Sequence, residues 1–250
     1  MKISKLRKEP EIFASIQGEG RNLGLFSVFV RSSLCNLHCV WCDTDYTWNW
    51  QGTPFKHIRD SEPGYEKYDK ASEIIEMIPS GIAQRVKALR AKNVVLTGGE
   101  PLLQQEAFVE LMRILRETDK DYTFEVETNG TIVPSLDFDS IISQYNVSPK
   151  LTNSDNPTNT RIRDEALLSF AQSPKAWFKF VCGSQIDIDE VVEIVTKYGI
   201  KPTRVFLMPQ GTTSELIRRT SQALVERCIE KGFNFTDRLH IHLFKNKRGT

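Results

Sequence analysis

Residues 26–44 read FSVFVRSSLCNLHCVWCDT, an apolar run that leads directly into three cysteines. Its first part, FSVFVR, is rich in β-branched and aromatic residues and predicts a buried strand. Cys35, Cys39 and Cys42 follow at once as C-x3-C-x2-C. Thiols at the end of a buried strand lie where parallel α/β sheets bind their ligands.

Strands and helices alternate along most of the chain, which predicts a parallel sheet with right-handed crossovers. Apolar residues recur at helical spacing over residues 103–115 and again over 216–228, where a capping box from Thr212 to Glu215 opens the helix. The further predicted strands are NVVLTGG (93–99), TFEVETNG (123–130), YNVSPK (145–150), WFKFVC (177–182), RVFLMPQG (204–211) and RLHIHLF (238–244).

Residues 45–70 break this alternation, because they are charged and aromatic and show no clean period. A closed eight-stranded barrel needs about 250 residues with all its helices. The chain has 250 residues, and this segment uses part of them. We therefore predict an α/β fold, an incomplete and open parallel β/α barrel, as a single domain over residues 1–250 with a polar, aromatic insertion at about 45–70.

Composition restricts the function. The net charge is +1, from 33 basic and 32 acidic residues, which does not favour nucleic acid as a partner. No apolar run reaches the length of a membrane span, and no secretory h-region follows the basic N-terminus. Five cysteines, three of them clustered, fit a reducing compartment better than a disulfide framework. We predict a cytoplasmic protein with neither a membrane nor a nucleic-acid partner.

Polar residues gather where four of the predicted strands end, and in a parallel sheet such ends converge on one edge. These residues predict one composite site, although turn residues and helix caps are the alternative for any single strand. They are Thr97, Gly98, Gly99 and Glu100, then Glu127, Thr128 and Asn129, then Ser148 and Lys150, and finally Gln210.

The three cysteines indicate a metal centre with an open position. A structural zinc site takes four ligands, whereas this loop adds only His38, and a redox C-x-x-C would leave Cys35 unexplained. Cys182 falls in a strand and Cys228 on an apolar helix face, so we interpret both as core residues. An iron–sulfur cluster held by three thiolates would leave one iron free to bind a small molecule. A zinc or purely structural cysteine loop remains the alternative.

The cysteine loop followed by TGGEP, residues 97–101, resembles the radical S-adenosylmethionine enzymes. The resemblance implies a [4Fe–4S] cluster on Cys35, Cys39 and Cys42, with S-adenosylmethionine chelating the fourth iron. It also implies that the amino group of the cofactor meets the GGE segment, where glycine lets a ligand approach the backbone closely. The implied S-adenosylmethionine contacts are Trp41, Cys42, Asp43, Gly98, Gly99, Glu100, Ser148, Pro149, Lys150 and Gln210.

Within that superfamily, SIQGEG (15–20), WCDT (41–44), VETNGT (126–131) and VSPK (147–150) together resemble the 7-carboxy-7-deazaguanine synthases. The chain departs from the compact members in its length, in MPQG (208–211) and in the large segment 45–70. The resemblance implies a radical ring contraction of 6-carboxy-5,6,7,8-tetrahydropterin to 7-carboxy-7-deazaguanine, with release of ammonia, in the synthesis of queuosine and related 7-deazapurines.

The same resemblance assigns the remaining roles. It implies Mg²⁺ at Thr44, a flavodoxin- or ferredoxin-type electron donor and a homodimer. Gln17 and Glu19 could pair with the pterin edge, and Arg31 with its carboxylate; a polar turn and a surface ion pair are the alternatives. The implied substrate contacts are Ile16, Gln17, Gly18, Glu19, Arg31, Thr97, Glu127 and Thr250, the last in a tail that could equally be frayed.

Two other functions remain open at this point. An activase that installs a glycyl radical on a partner protein would share the cluster and GGEP, but it would not need a pterin pocket built from QGEG and Arg31. A non-catalytic iron–sulfur or zinc module would have no use for GGEP or for polar groups at four strand ends.

Overall fold

The computed structural model describes residues 1–250, and one sheet of eleven strands runs through it in the order β11-β10-β9-β8-β7-β6-β4-β1-β2, with β3 paired to β4 and β5 paired to β1. The strands are β1 Lys2–Leu6, β2 Glu9–Pro10, β3 Ile12–Ile16, β4 Phe26–Ser32, β5 Ile74–Glu76, β6 Asn93–Gly98, β7 Thr123–Thr128, β8 Gln144–Val147, β9 Ala176–Cys182, β10 Val205–Pro209 and β11 Asn234–Phe235.

Nine α-helices accompany the sheet. No helix is both long enough and apolar enough to cross a membrane. The helices are α1 Lys70–Glu73, α2 Pro79–Ala88, α3 Gln105–Thr118, α4 Leu136–Ile141, α5 Thr158–Arg161, α6 Asp164–Gln172, α7 Gln185–Tyr198, α8 Ser214–Lys231 and α9 Leu239–Phe244.

The barrel is open. Strands β4, β6, β7, β8, β9, β10 and β11 pair with one another in parallel in this order, and helices lie between consecutive strands. On its other side β4 is antiparallel to β1 and β3. β4 and β11 do not pair with each other, so the parallel strands form an arc rather than a closed ring. The predicted fold class, an incomplete parallel β/α barrel, is confirmed.

One apolar core lies between the sheet and the helices, as a cluster of 41 buried residues. The predicted face of α3 belongs to it: Phe108, Leu111, Met112 and Leu115 are fully buried. Because burial of each such side chain contributes about 1.5–3 kcal/mol, this face fixes α3 against the sheet. The sheet in turn brings the ends of β4 and β6 together, with Arg31 opposite Thr97.

Two predicted local structures are wrong. RLHIHLF is not a strand, because residues Leu239–Phe244 form α9 and the short β11 takes the sheet edge instead. Its alternation of apolar residues did not mark a buried sheet face, since Ile241 is buried whereas Leu243 is 54% exposed. The predicted capping box is also absent: Thr213, not Thr212, caps α8 by accepting a hydrogen bond from the backbone N–H of Leu216 at 3.3 Å, and a leucine at this third helical position cannot return the second bond.

Residues 45–69 contain only two short 3₁₀ helices and one isolated bridge, between Trp50 and Tyr68, and Lys70 begins α1. Buried polar and aromatic side chains hold this segment together. The Tyr65 hydroxyl donates to Asp45 at 2.8 Å and accepts from the Asn49 amide at 2.9 Å. The segment packs on the cysteine loop, and the backbone N–H of Ile58 donates to the carbonyl of Val40 at 2.8 Å.

Candidate active site

A cleft of about 570 Å³ lies at the carboxyl ends of the parallel strands. All but two of the residues predicted for the composite site, the cluster, the cofactor, the metal and the substrate line it, and the two exceptions are Glu100 and Pro149. The predicted residues that line the cleft are Ile16, Gln17, Gly18, Glu19, Arg31, Cys35, Cys39, Trp41, Cys42, Asp43, Thr44, Thr97, Gly98, Gly99, Glu127, Thr128, Asn129, Ser148, Lys150, Gln210 and Thr250.

The three loop cysteines face this cleft, and each has a donor near its sulfur. The backbone N–H of Leu37 donates to Sγ of Cys35 at 3.4 Å, and the Asn156 amide donates to Sγ of Cys39 at 3.4 Å. The hydroxyl of Thr44 lies 3.5 Å from Sγ of Cys42. Hydrogen bonds to sulfur are among the means by which proteins stabilise iron–sulfur clusters. The donor set therefore fits a cluster on these thiolates.

Burial raises the pKa of Cys39 to about 12 and also raises the pKa of Cys35 and of Cys42. A thiol ligand must lose its proton to bind metal, so loading a cluster here releases protons. No group of three or more His, Cys, Asp or Glu side chains is arranged to hold a single metal ion.

The other residues considered as thiol-site ligands lie elsewhere. His38 stacks on Phe55, with ring centroids 3.3 Å apart and planes at 9°, and does not line the cleft. Cys182 and Cys228 are buried in the apolar core cluster. The cysteine loop also contacts the segment after β8, where the Trp41 indole N–H donates a hydrogen bond to the carbonyl of Asn153 at 2.8 Å.

The glycines of TGGEP are explained by packing of backbone on backbone. Gly98 has φ +134°, and a Cβ on it would lie 2.0 Å from the carbonyl oxygen of Ser32; a Cβ on Gly99 would lie 2.1 Å from that of Leu34. A side chain at either position would therefore push β6 away from the start of the cysteine loop. These glycines are therefore needed because the backbone of Ser32 and Leu34 approaches them closely.

Glu100 is fully buried and does not line the cleft. Its carboxylate accepts hydrogen bonds from the backbone N–H of Asn129 at 2.7 Å, the Thr128 hydroxyl at 2.9 Å and the backbone N–H of Leu102 at 3.0 Å. These bonds tie the end of β6 to the end of β7. Burial is the main cause that raises the pKa of Glu100.

The opposite wall of the cleft carries a buried charge network. The Lys179 ammonium donates to Glu19 at 2.6 Å and to Glu127 at 2.9 Å, and the Arg238 guanidinium bonds Glu19 at 3.1 Å. Burial opposes the charged form of Glu19, but Lys179 and Arg238 outweigh it and lower the pKa of Glu19. Glu19 is thus a carboxylate held by cations, and Gln17 donates to the other oxygen of Glu127 at 3.1 Å.

Three members of this wall, Lys179, Arg238 and His240, were not predicted. Lys179 had a signal in the sequence, as a lone charge inside the apolar strand WFKFVC. Arg238 and His240 had no such signal in the sequence, because the pattern of residues 238–244 predicts a strand. Arg238 joins the two halves of the site, bonding Glu19 on one side and Asp43 on the other. His240 packs so closely on Gly18 that a Cβ there would lie 2.3 Å from its Nδ1 atom.

Arg31 is positioned by a buried carboxylate. Its Nε donates to Glu11 at 2.9 Å, and no hydrogen bond within the protein engages its two Nη atoms. Glu11 is 1% exposed and also accepts from the Tyr46 hydroxyl at 3.1 Å and from Arg248 at 3.2 Å. The Nη atoms of Arg31 are therefore free to bind an anion in the cleft.

Lys150 and Trp41 lie side by side, with the ammonium 5.7 Å from the centroid of the indole ring. The same ammonium donates to the Ser148 hydroxyl at 3.1 Å. Thr250 also lines the cleft, two residues after Arg248. The Arg248 guanidinium donates a hydrogen bond to the backbone carbonyl of Lys5 at 2.6 Å. The tail is thus packed on β1 rather than frayed.

Comparison with known proteins identifies the class. Residues 29–146 match the Radical SAM superfamily. The chain is 38% identical over 240 residues to a 7-carboxy-7-deazaguanine synthase of Pyrobaculum aerophilum, covering 96% of this chain and 95% of that protein. It is 34% identical over 253 residues to the enzyme of that name from Rhodopirellula baltica, covering 96% and 87%. These matches place it among the radical S-adenosylmethionine enzymes.

The chain belongs to the 7-carboxy-7-deazaguanine synthase family. The solved structure of QueE from Escherichia coli shares its fold, with a TM-score of 0.62, 22% identity and coverage of 96% of this chain and 95% of that one. Family membership confirms the predicted enzyme class and function, and with them a [4Fe–4S] cluster and S-adenosylmethionine as cofactors and a small molecule as substrate.

The charge network yields a prediction about stability. Replacing Lys179 with methionine leaves Glu19 and Glu127 facing each other without the ammonium between them. Loss of one partner from a buried ionic network lowers the free energy of unfolding by about 3–5 kcal/mol. Burial opposes the charge of Lys179, but Glu127 and Glu19 outweigh it and raise its pKa. Its stabilisation is therefore fully present below the unfolded pKa of lysine wherever Glu19 and Glu127 are ionised, and it is lost as the pH rises through the folded pKa of Lys179.

Denaturant unfolding at pH 7 measures this effect. Lys197→Met is the matched control, because Lys197 forms an ion pair of similar length with Asp164, 2.9 Å, on the exposed surface. We expect the control to unfold like the wild type. Equal stability of the two variants would show that the network contributes nothing to folding.

Proposed function

We propose that this cleft converts 6-carboxy-5,6,7,8-tetrahydropterin to 7-carboxy-7-deazaguanine with release of ammonia, as a step in the synthesis of queuosine or a related 7-deazapurine. One observation carries the proposal: the three thiols, the free guanidinium nitrogens of Arg31 and the amide and carboxylates of Gln17, Glu19 and Glu127 all face one cavity. When bound, the cluster and S-adenosylmethionine supply the 5′-deoxyadenosyl radical that takes hydrogen from C6 of the pterin.

The residues of the chain orient the two small molecules. Cys35, Cys39 and Cys42 hold the cluster. The S-adenosylmethionine side is formed by the residues next to it, where the Lys150 ammonium beside Trp41 suits an anionic group. The cofactor-side residues that line the cleft are Trp41, Cys42, Asp43, Gly98, Gly99, Ser148, Lys150 and Gln210, while Glu100 and Pro149 support them from outside it.

The pterin lies against the charge network in this proposal. Its donor-and-acceptor edge pairs with the side chains of Gln17, Glu19 and Glu127, since Lys179 and Arg238 keep Glu19 ionised and therefore an acceptor. Its carboxylate pairs with the Nη atoms of Arg31, beside Thr97 on the neighbouring strand. Ile16, Gly18 and Thr250 complete the substrate side.

Two further assignments rest on the family resemblance, and a third on the composition of the chain. We propose a flavodoxin- or ferredoxin-type protein as electron donor, a homodimer as the assembly and the cytoplasm as the location. The free state of all five cysteines is consistent with a reducing compartment. Sedimentation of the purified protein measures the assembly, and a monomer would contradict the dimer.

An anaerobic reaction tests the proposed conversion. The reconstituted protein, reductant, S-adenosylmethionine and the carboxytetrahydropterin are combined, and the product is analysed by mass spectrometry. We expect 7-carboxy-7-deazaguanine and ammonia in equal amounts. Cleavage of S-adenosylmethionine with the pterin unchanged would show that this chain acts on another substrate.

We propose Mg²⁺ as the third cofactor, bound through the hydroxyl of Thr44, which lines the cleft next to Cys42. A hydroxyl together with substrate oxygens and water suits a small, hard cation that keeps part of its hydration shell. Thr44→Ala is expected to lower turnover several-fold and to weaken the response to Mg²⁺, with iron content unchanged.

The test is a Mg²⁺ titration of turnover in the wild type, Thr44→Ala and Thr44→Ser. Serine keeps the hydroxyl, so it should restore most of the Mg²⁺ response. Equal stimulation of wild type and Thr44→Ala would remove Thr44 from the metal site.

A further inference from the structure

Asn156 lies after β8, outside the cysteine loop, and its side chain reaches into that loop. Its Oδ1 atom accepts a hydrogen bond from the backbone N–H of His38 at 2.9 Å. A backbone N–H can only donate, so this bond fixes which end of the amide carries oxygen. The Nδ2 end consequently faces Cys39, at 3.4 Å from its Sγ atom.

The loop is held to this segment on both sides of Cys39, by the His38 bond before it and by two bonds after it. The backbone N–H of Val40 donates to the carbonyl of Ser154 at 3.1 Å, and the Trp41 indole donates to the carbonyl of Asn153 at 2.8 Å. Cys39 itself is 6% exposed. A hydrogen bond to its sulfur is therefore little weakened by competing water.

Nδ2 of Asn156 also lies 3.2 Å from the Ser154 hydroxyl and 3.3 Å from the Ser154 carbonyl. The amide has two hydrogens for these three acceptors. Among them only a metal-bound Cys39 sulfur would carry negative charge, and hydrogen bonds to charged acceptors are about twice as strong as neutral ones. Binding of a cluster therefore favours the bond to Cys39.

We propose that Asn156 is a positioning residue for the cluster: it donates a hydrogen bond to the Cys39 thiolate and so raises the reduction potential. The proposal rests on the proposed function, in which Cys39 is a cluster ligand. Reduction adds negative charge to the cluster and its sulfurs, and a hydrogen bond to sulfur stabilises that more negative state. The donors to Cys35 and Cys42 come from residues 37–48, in or directly after the cysteine loop, whereas Asn156 is supplied by the segment after β8.

Redox titration of the reconstituted protein, followed by electron paramagnetic resonance without S-adenosylmethionine, tests this role. Asn156→Ala removes the donor. Asn153→Ala is the matched control, because the Asn153 side chain donates to the carbonyl of Val181 and not to a cysteine. At a fixed potential we expect the ratio of reduced to oxidised cluster to fall about tenfold in Asn156→Ala, or about 59 mV for a one-electron couple, and to stay unchanged in the control.

A second pair of variants decides the matter if Asn156→Ala fails to bind a cluster. Asn156→Asp keeps an oxygen for the His38 N–H but loses the donor, and Asn153→Asp adds the same charge in the same segment. We expect the potential of Asn156→Asp to fall below that of Asn153→Asp. The proposal is overturned if Asn156→Ala has the same reduction potential as Asn153→Ala and Asn156→Asp has the same potential as Asn153→Asp.

The iron content of Cys39→Ala separates this inference from the proposed function. A full cluster in that variant would refute Cys39 as a ligand, and with it both proposals. If Cys39→Ala loses the cluster while the Asn156 variants match their controls, the ligand assignment stands and the role of Asn156 alone is refuted.

Discussion

Alanine in place of Cys35, Cys39 or Cys42 is expected to abolish both the cluster and all turnover. The three thiols face the same cleft, and each has a hydrogen-bond donor at its sulfur. With three protein ligands and one iron reserved for S-adenosylmethionine, no spare thiolate lies in the cleft to take the place of a lost one. Wild-type protein should contain about four iron atoms per chain, as a [4Fe–4S] cluster requires, and each variant should contain almost none.

Cys182→Ala and Cys228→Ala are the controls, because both thiols lie in the apolar core rather than in the cleft. Each control should keep its iron content, because its cysteine is not a cluster ligand in this assignment. Removing a buried sulfur costs about 1 kcal/mol of stability, so these variants should unfold more easily while retaining the cofactor. A loop variant with full iron, or loss of iron in Cys182→Ala, would contradict the ligand set.

The parallel arc was predictable from the sequence because its strands are short apolar runs that end in polar residues. β4, β6, β7, β8, β9 and β10 all lie where the pattern predicted them. The antiparallel strands before β4 were not predicted. β1, for example, reads KISKL, in which only Ile3 and Leu6 are apolar and do not alternate with polar residues, and only its pairing with β2, β4 and β5 makes it a strand.

That the three thiols lie together in the cleft was predictable, because Cys35, Cys39 and Cys42 are close in sequence. The charge network was not, since its members come from distant parts of the chain: Glu19 and Arg238 are 219 residues apart. Such pairs are created by the tertiary fold. The same is true of Glu11, whose role in holding Arg31 depends on β3 lying against β4.

The glycines of TGGEP are required by close packing within the chain, whereas the sequence alone suggested close approach of a ligand. The sequence shows that a side chain is excluded at Gly98 and Gly99, but it does not show what excludes it. The structure places the backbone of Ser32 and Leu34 against them. The two glycines therefore set the spacing between β6 and the cysteine loop, which is a condition for any ligand to bind there.

Replacing Arg31 with alanine is expected to lower kcat/KM for the pterin by roughly thirtyfold or more. The Nη atoms of Arg31 are free in the cleft, and its Nε is held by Glu11. If those nitrogens pair with the substrate carboxylate, their removal leaves a buried anion without its partner, which costs on the order of 2–5 kcal/mol. Arg31→Lys should restore only part of the loss, because an ammonium cannot bond Glu11 and form a planar, two-point contact with a carboxylate at once.

Two measurements separate substrate binding from structural damage. Formation of 5′-deoxyadenosine without the pterin should persist in Arg31→Ala, because the cysteine loop and the cofactor side are unchanged. Arg248→Ala provides a second comparison, since it also removes a cation from Glu11, at 3.2 Å, but leaves the guanidinium of Arg31 in place. If both variants lost kcat/KM equally, the common cause would be the unpaired Glu11. Near-normal kcat/KM in Arg31→Ala would mean that Arg31 only neutralises Glu11 and that the pterin carboxylate binds elsewhere in the cleft.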